Sequence, residues 1–176
     1  ALEEFGDSSF LMLDADELFP QNAVVLNVIK TFSQLRVDEA IVDAAALVCA
    51  MGGPMADMFN RIIQGRASIL PKVDSFAFEE GMGAIGWVSG RRILVGNREL
   101  MLRHGIQPPS RDYEQKYTLG GRCTTYLAAG GDLVAMFVMS YSVDQEVGKA
   151  LSELCRDGVK LLVRSKDVNV TAEMVE

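Results

Sequence analysis

Histidine occurs once in the 176 residues, at His104, and the three cysteines, Cys49, Cys123 and Cys155, stand far apart. With no cysteine pair and no histidine cluster, a zinc site is not expected. The odd count and apolar surroundings of the cysteines predict buried free thiols in a reducing compartment rather than disulfides. Long apolar runs are also missing. A run such as Leu133–Met139 falls far short of the ~20 residues that a bilayer-spanning helix needs. Basic residues are outnumbered, with 17 Lys and Arg against 24 Asp and Glu and a net charge of −7. The nearest basic grouping, Arg91-Arg92 followed by Arg98 and Arg103, falls short of the stripe that displaces phosphate counterions, so no nucleic-acid partner is expected. The start, Ala1-Leu2-Glu3-Glu4, has neither a basic leader nor an apolar core, so no signal peptide is read there. It lacks an initiator Met, and a helical pattern runs into the last residues; the chain is expected to be a fragment of a longer protein.

What is present is globular: 49% of residues are hydrophobic and 23% charged, enough for one domain or two small ones. Ser9–Leu13 reads as a short strand ending in an acidic turn, and Ala23–Ile29 as a second strand. Val37–Met51 carries apolar residues at Ala40, Ile41, Ala44, Ala45 and Val48, the spacing of one helix face, and stops at Gly52-Gly53. Pro54 suits the first turn of a following helix with Met55, Met58, Phe59, Ile62 and Ile63. Val73–Glu79, Ala84–Ser89 and Arg92–Val95 read as strands, the last two joined by a Ser89-Gly90 turn. Asn97 opens a short helix through His104, and Ser110 and Asp112 open another. Cys123–Ala128 and Leu133–Ser140 form a hairpin about Gly130-Gly131. Asp144 caps a helix with Val147, Ala150, Leu151 and Leu154 inward and Gly158 as its stop. Lys160–Val163 is a strand, and a further helix is expected from Asn169.

The two ends therefore read as strand–helix units of a parallel sheet, and the middle as antiparallel sheet with flanking helices. An inserted domain accounts for that pattern better than one continuous fold. The fold class expected is α/β, with an antiparallel domain at 37–131 set into flanking segments at 1–36 and 132–176.

Three motifs could carry chemistry. Leu11-Met12-Leu13-Asp14-Ala15-Asp16 places two carboxylates at the C-terminal end of a strand, where α/β sheets hold ligands. In an extended chain alternate residues face the same way. Asp14 could then attack phosphorus while Asp16 handles the leaving-group proton, and the two could share a magnesium ion. Alone, the motif also fits a solvated acidic turn.

The second motif is Leu161-Leu162-Val163-Arg164-Ser165-Lys166-Asp167, followed by Thr171-Ala172. With Gly130-Gly131-Asp132 and the helix Asp144–Gly158 before it, this order and spacing resemble the phosphorylation domain of P-type ATPases. There a strand and Thr-Gly-Asp precede Thr-Ala at a helix start. The resemblance covers about Ser9 to Glu176. It implies that Asp14 takes the γ-phosphoryl group of ATP, Asp16 acts as acid or base, Ser165 holds a phosphoryl oxygen and Asp167 supports the site.

The third motif is Gly81-Met82-Gly83-Ala84-Ile85-Gly86, then Gly96-Asn97. Strands flank it on both sides, so it lacks the helix start that a dinucleotide fingerprint needs. It is similar to the Gly-x-Gly hairpin and Gly-Asn pair of heavy-metal-type ATPase nucleotide-binding domains, which implies that Gly81, Gly83, Gly96 and Asn97 line a nucleotide. Tight hairpin packing is the alternative reading of the same glycines.

The sequence departs from the family at several positions. Asp14-Ala15-Asp16-Glu17-Leu18 stands for Asp-Lys-Thr-Gly-Thr, and an Asp two residues after the nucleophile is the habit of haloacid-dehalogenase phosphatases. Met51-Gly52-Gly53-Pro54 keeps only the proline of Ser-Glu-His-Pro, whose Glu and His grip adenine. Tyr141 stands where the family has Asp. The resemblance implies an ATP-binding fragment on the cytoplasmic side of a membrane, using magnesium, with membrane and actuator segments of the same parent chain as partners. A degenerate regulatory module and a haloacid-dehalogenase-type phosphatase are the alternatives.

Overall fold

The computed structural model describes residues 9–20, 22–34, 36–171 and 174. The expected helix from Asn169 falls partly outside them; the described part, Asn169–Thr171, is not helical, and Ala172 is not described.

The chain opens with strand β1 (Phe10–Asp14) and a one-turn helix α1 (Ala15–Leu18), then enters β2 (Val24–Thr31). Two helices follow, α2 (Val37–Met51), with the bounds its apolar spacing predicts, and α3 (Pro54–Ile62), which starts at Pro54 as expected but ends before Ile63, the last residue expected in it. A meander of β3 (Val73–Glu79), β4 (Gly83–Val88) and β5 (Arg91–Gly96) leads into the short helices α4 (Arg98–Arg103) and α5 (Arg111–Thr118). Strands β6 (Cys123–Ala129) and β7 (Asp132–Tyr141) form the next hairpin, and α6 (Gln145–Arg156) and β8 (Lys160–Arg164) finish the described elements. Ser89 and Gly90 both have positive φ, 49° and 74°, the backbone that a tight two-residue hairpin turn requires.

The strands make two sheets. One holds six strands in the order β2-β7-β6-β5-β4-β3, and the other pairs β1 with β8 in parallel. Alternation along the strands of the large sheet feeds two cores. Ile93, Val95, Leu127 and Phe137 face α2 and α3, meeting Leu47, Val48, Met55 and Phe59. Leu94, Tyr126, Met136 and Val138 face the other way, onto Leu100 and Met101 of α4. Phe59 meets Phe137 edge to face at 5.4 Å, and emptying such a position costs about 3–5 kcal/mol. Gly86 lets α2 lie close to the sheet: a Cβ there would come within 2.7 Å of Leu47 Cδ1.

The large sheet extends past the boundaries expected at 36/37 and 131/132. β2 pairs antiparallel with β7 along its length, from Val24↔Tyr141 to Thr31↔Ala135, so both strands lie inside this sheet. Its β-branched composition marks β2 as a strand, but composition carries no information about its partner. Around the small sheet, Ala15, Leu18, Phe19 and Ala23 are buried, with Val147, Leu151 and Val163 packed on them. Helix α6 departs from expectation: none of its residues is fully buried, and Ala150 and Leu154 face outward. Among the described residues nothing covers that flank.

The cysteines are free, as expected, but Cys155 is exposed, and Cys49 and Cys123 are half-buried. Among the described residues no helix is long and apolar enough to cross a membrane.

Candidate functional site

Asp14 ends β1 and caps the start of α1; its backbone N–H donates to Glu17 Oε2 at 2.9 Å. Its register partner on β8 is Arg164, whose Nε donates to Oδ1 at 2.6 Å and whose second nitrogen donates to Oδ2 at 2.9 Å. Hydrogen bonds from this guanidinium hold the carboxyl below the ordinary aspartate value. Asp16 does not share a face with it. The chain turns helical at Ala15, so two residues advance about 200° around an axis instead of returning to the same side. Asp16 is exposed; partial burial, then the charges of Asp57 and Asp14, push its carboxyl up.

Ser165 and Asp167 follow β8. Ser165 Oγ accepts from the Asp167 N–H at 2.9 Å and donates to the Asp167 carbonyl at 3.1 Å, closing a local turn. Asp167 points into the protein and is 3% exposed. Its carboxylate accepts from Tyr141 Oη at 2.7 Å, from the Met55 N–H at the start of α3 at 3.1 Å and from the Asn169 N–H at 3.0 Å. Burial pushes its carboxyl up, against the pull of these donors. The pair expected to hold a phosphoryl oxygen and support the site is thus turned onto the protein itself.

These residues do not fit magnesium as they stand. Both oxygens of Asp14 are taken by Arg164, and among the described residues no group of three or more His, Cys, Asp or Glu side chains could hold a metal.

The glycine hairpin forms a second region. A Cβ on Gly83 would strike the Val95 carbonyl and Gly96 Cα, and one on Gly96 would strike the Met82 carbonyl. Both glycines therefore serve the close approach of β4 and β5. Asn97 is also engaged: its Oδ1 accepts from the Leu100 N–H at 3.1 Å, capping α4, and its Nδ2 donates to the Gly81 carbonyl at 2.8 Å. Gly81 differs, with φ +68° and nothing within 4 Å of where a Cβ would stand. A side chain at Gly81 would meet only open space, while its carbonyl is held by Asn97.

Three residues that matter to these arrangements were not singled out for a role in the sequence: Arg164, Tyr141 and Asn169. Parallel β1–β8 pairing is the only signal that could have found Arg164. The basic grouping is spent internally, Arg91 on Asp43 at 2.8 Å, Arg98 on Glu114 at 2.6 Å and Arg103 on Glu79 at 3.5 Å. Arg92 donates to Nδ1 of His104 at 2.8 Å, and the opposite ring nitrogen meets Glu79 at 2.7 Å. An arginine only donates, so Nδ1 is the acceptor and the ring proton sits on Nε2.

The six-stranded antiparallel sheet with its flanking helices matches the fold of P-type ATPase N-domain structures. The chain superposes on the N-domain of HMA6, a copper-transporting P-type ATPase, with a TM-score of 0.53 and 21% identity, over 68% of this chain and 100% of that one. It also superposes on a zinc-transporting PIB-type ATPase in its E2.Pi state, with a TM-score of 0.55 and 19% identity, over 93% of this chain and 26% of that one. No protein-family model matches. Its homologues are heavy-metal P-type ATPases. A copper-exporting P-type ATPase of Legionella pneumophila is 27% identical over 139 residues, 78% of this chain and 19% of that protein. Copper-transporting ATPase 2 of Rhizobium meliloti is 24% identical over 176 residues, 99% of this chain and 21% of that protein. The chain thus spans about a fifth of the length of these relatives.

Proposed function

We propose that this chain is the nucleotide-binding part, with adjoining phosphorylation-domain strands, of a P-type cation-transporting ATPase, on the cytoplasmic side of a membrane. The observation that carries this reading is the six-stranded sheet with its two helix layers, whose likeness to the HMA6 N-domain extends over all of that domain. The inserted unit is the stretch from about Ala23 to Ser142, because β2 and β7 pair within it. ATP would lie against the open backbone of Gly81, with Gly83, Gly96 and Asn97 shaping the hairpin behind it. Without the Glu and His of the family's adenine grip, affinity would be on the order of millimolar, roughly −4 kcal/mol.

Asp14 is the proposed phosphoryl acceptor, at a strand's C-terminal end. Arg164 must first leave its carboxylate, since both oxygens are engaged. That same pair favours a second reading, a degenerate module that binds nucleotide and does not turn over.

Thermal melting with and without ATP tests the shared part of both readings. At ten times its dissociation constant, ATP should stabilise the fold by about 1.4 kcal/mol. An unchanged melting temperature across the millimolar range would contradict nucleotide binding.

A further inference from the structure

The chain passes between its two sheets twice, from α1 into β2 and from β7 into α6. Tyr141 is the last residue of β7, at the second passage, and its ring packs edge-on against Phe19 of the first at 5.6 Å. Its hydroxyl donates to Asp167 Oδ2 at 2.7 Å, and the Met55 N–H donates to the same oxygen at 3.1 Å. Asn169 extends the contact: its Nδ2 donates to Thr125 Oγ1 at 2.8 Å and to Tyr141 Oη at 3.2 Å. A loop that follows β8 of the small sheet is thereby fastened to β6, β7 and α3 of the large one. The fastening is dry, with Asp167 3% and Asn169 5% exposed. Among the described residues no cation pairs with Asp167, so hydrogen bonds alone satisfy its carboxylate.

We infer that the Tyr141 hydroxyl and the Asp167 carboxylate form a hinge lock, which fixes the angle between the two sheets and must open before they can rotate. Two covalent passages alone leave a rotation free. The buried contact removes it, because partial opening would strand a carboxylate and the first N–H of α3 without partners or water. Such a contact is closed or open, with little between. Tyr141 acts here as a positioning residue, since it touches no reacting group.

Tyr141→Phe keeps the ring against Phe19 and deletes only the donor. Amide hydrogen exchange on the whole chain should show Met55 and Asn169 opening together in the native protein. In Tyr141→Phe both should lose about tenfold in protection, while Leu127 and Phe137 in the large sheet keep theirs. Residual dipolar couplings from β8 and β6 should fit one alignment tensor in the native chain and require two in the variant. Unchanged protection at Met55, an equal loss at every core amide, or a single tensor in the variant would each overturn the lock. Should Tyr141→Phe fail to fold, Asp167→Ala carries the same comparison, because it removes the oxygen that accepts from both Tyr141 Oη and the Met55 N–H.

Discussion

Asp14 and Arg164 face each other as the last register pair of the parallel strands, and the guanidinium closes on both oxygens of the carboxylate. The residue proposed as phosphoryl acceptor is thus held as half of an ion pair. Arg164→Gln should release it, raising the titration midpoint of the Asp14 carboxyl carbon toward the ordinary aspartate value. The sign follows from linkage. A lowered folded pKa contributes stability present above the unfolded value and lost as pH falls through the folded one. The pair lies at the surface, so the variant should melt almost unchanged at neutral pH. A midpoint that does not move would mean that Arg164 is not what holds Asp14.

The pairing of β2 with β7 gives a test by truncation. A piece spanning residues 37–131 lacks both strands and opens β6 to solvent, whereas one spanning 23–142 keeps all six strands. The longer piece should melt cooperatively and the shorter should not. Cooperative melting of both would place the unit's core away from β7.

Arg98 and Glu114 form the most enclosed ion pair among the described residues, their side chains 10% and 19% exposed. Burial pushes the Glu114 carboxyl up, but hydrogen bonds from Arg98 and Thr124 outweigh it and leave the group below its ordinary value. Glu114→Ala should cost roughly 2–3 kcal/mol in chemical denaturation, somewhat less than for a fully dry pair, because Arg98 stays buried without its partner. The loss should shrink as acid protonates the native carboxylate. A cost within ~0.5 kcal/mol would mean that water reaches Arg98 freely.

What was legible in the sequence lies mostly within single elements. The caps were readable because cap and target are neighbours in the chain: Asn97 accepts from Leu100, Ser110 from Tyr113, and Asp144 from Glu146 and Val147. The helix faces of α2 and α3 followed from spacing for the same reason. Partnership across the chain was not legible. Nothing in Val24–Thr31 says that it borders β7, and nothing in Ser165-Lys166-Asp167 says that the carboxylate turns inward onto Met55, 112 positions away. At the site the glycines were visible with two readings, nucleotide lining and tight hairpin packing, and the close approach at Gly83 and Gly96 accords with the second. Gly83 and Gly96 are required by each other's backbone, so Gly83→Val would break the hairpin instead of merely blocking a ligand.

Burial pushes the Cys123 thiol up to about 11 and also raises Cys49, so both should be poorly nucleophilic near pH 8. Cys155 is exposed on α6. Iodoacetamide at pH 8, followed by peptide mass spectrometry, should modify Cys155 well before the other two. Comparable rates at all three would contradict the packing of α2 and β6.

Nucleotide binding at the glycine hairpin is the central claim, and an ATP titration followed by amide chemical shifts tests it most directly. Shifts should centre on Gly81 and its neighbours through Gly86, with Gly96 and Asn97 following, and should saturate on the order of millimolar ATP. Gly81 should move furthest, since open space lies where its side chain would stand. If saturating ATP leaves these amides in place, or moves only those of α6 and β8, the hairpin is packing alone and the claim fails.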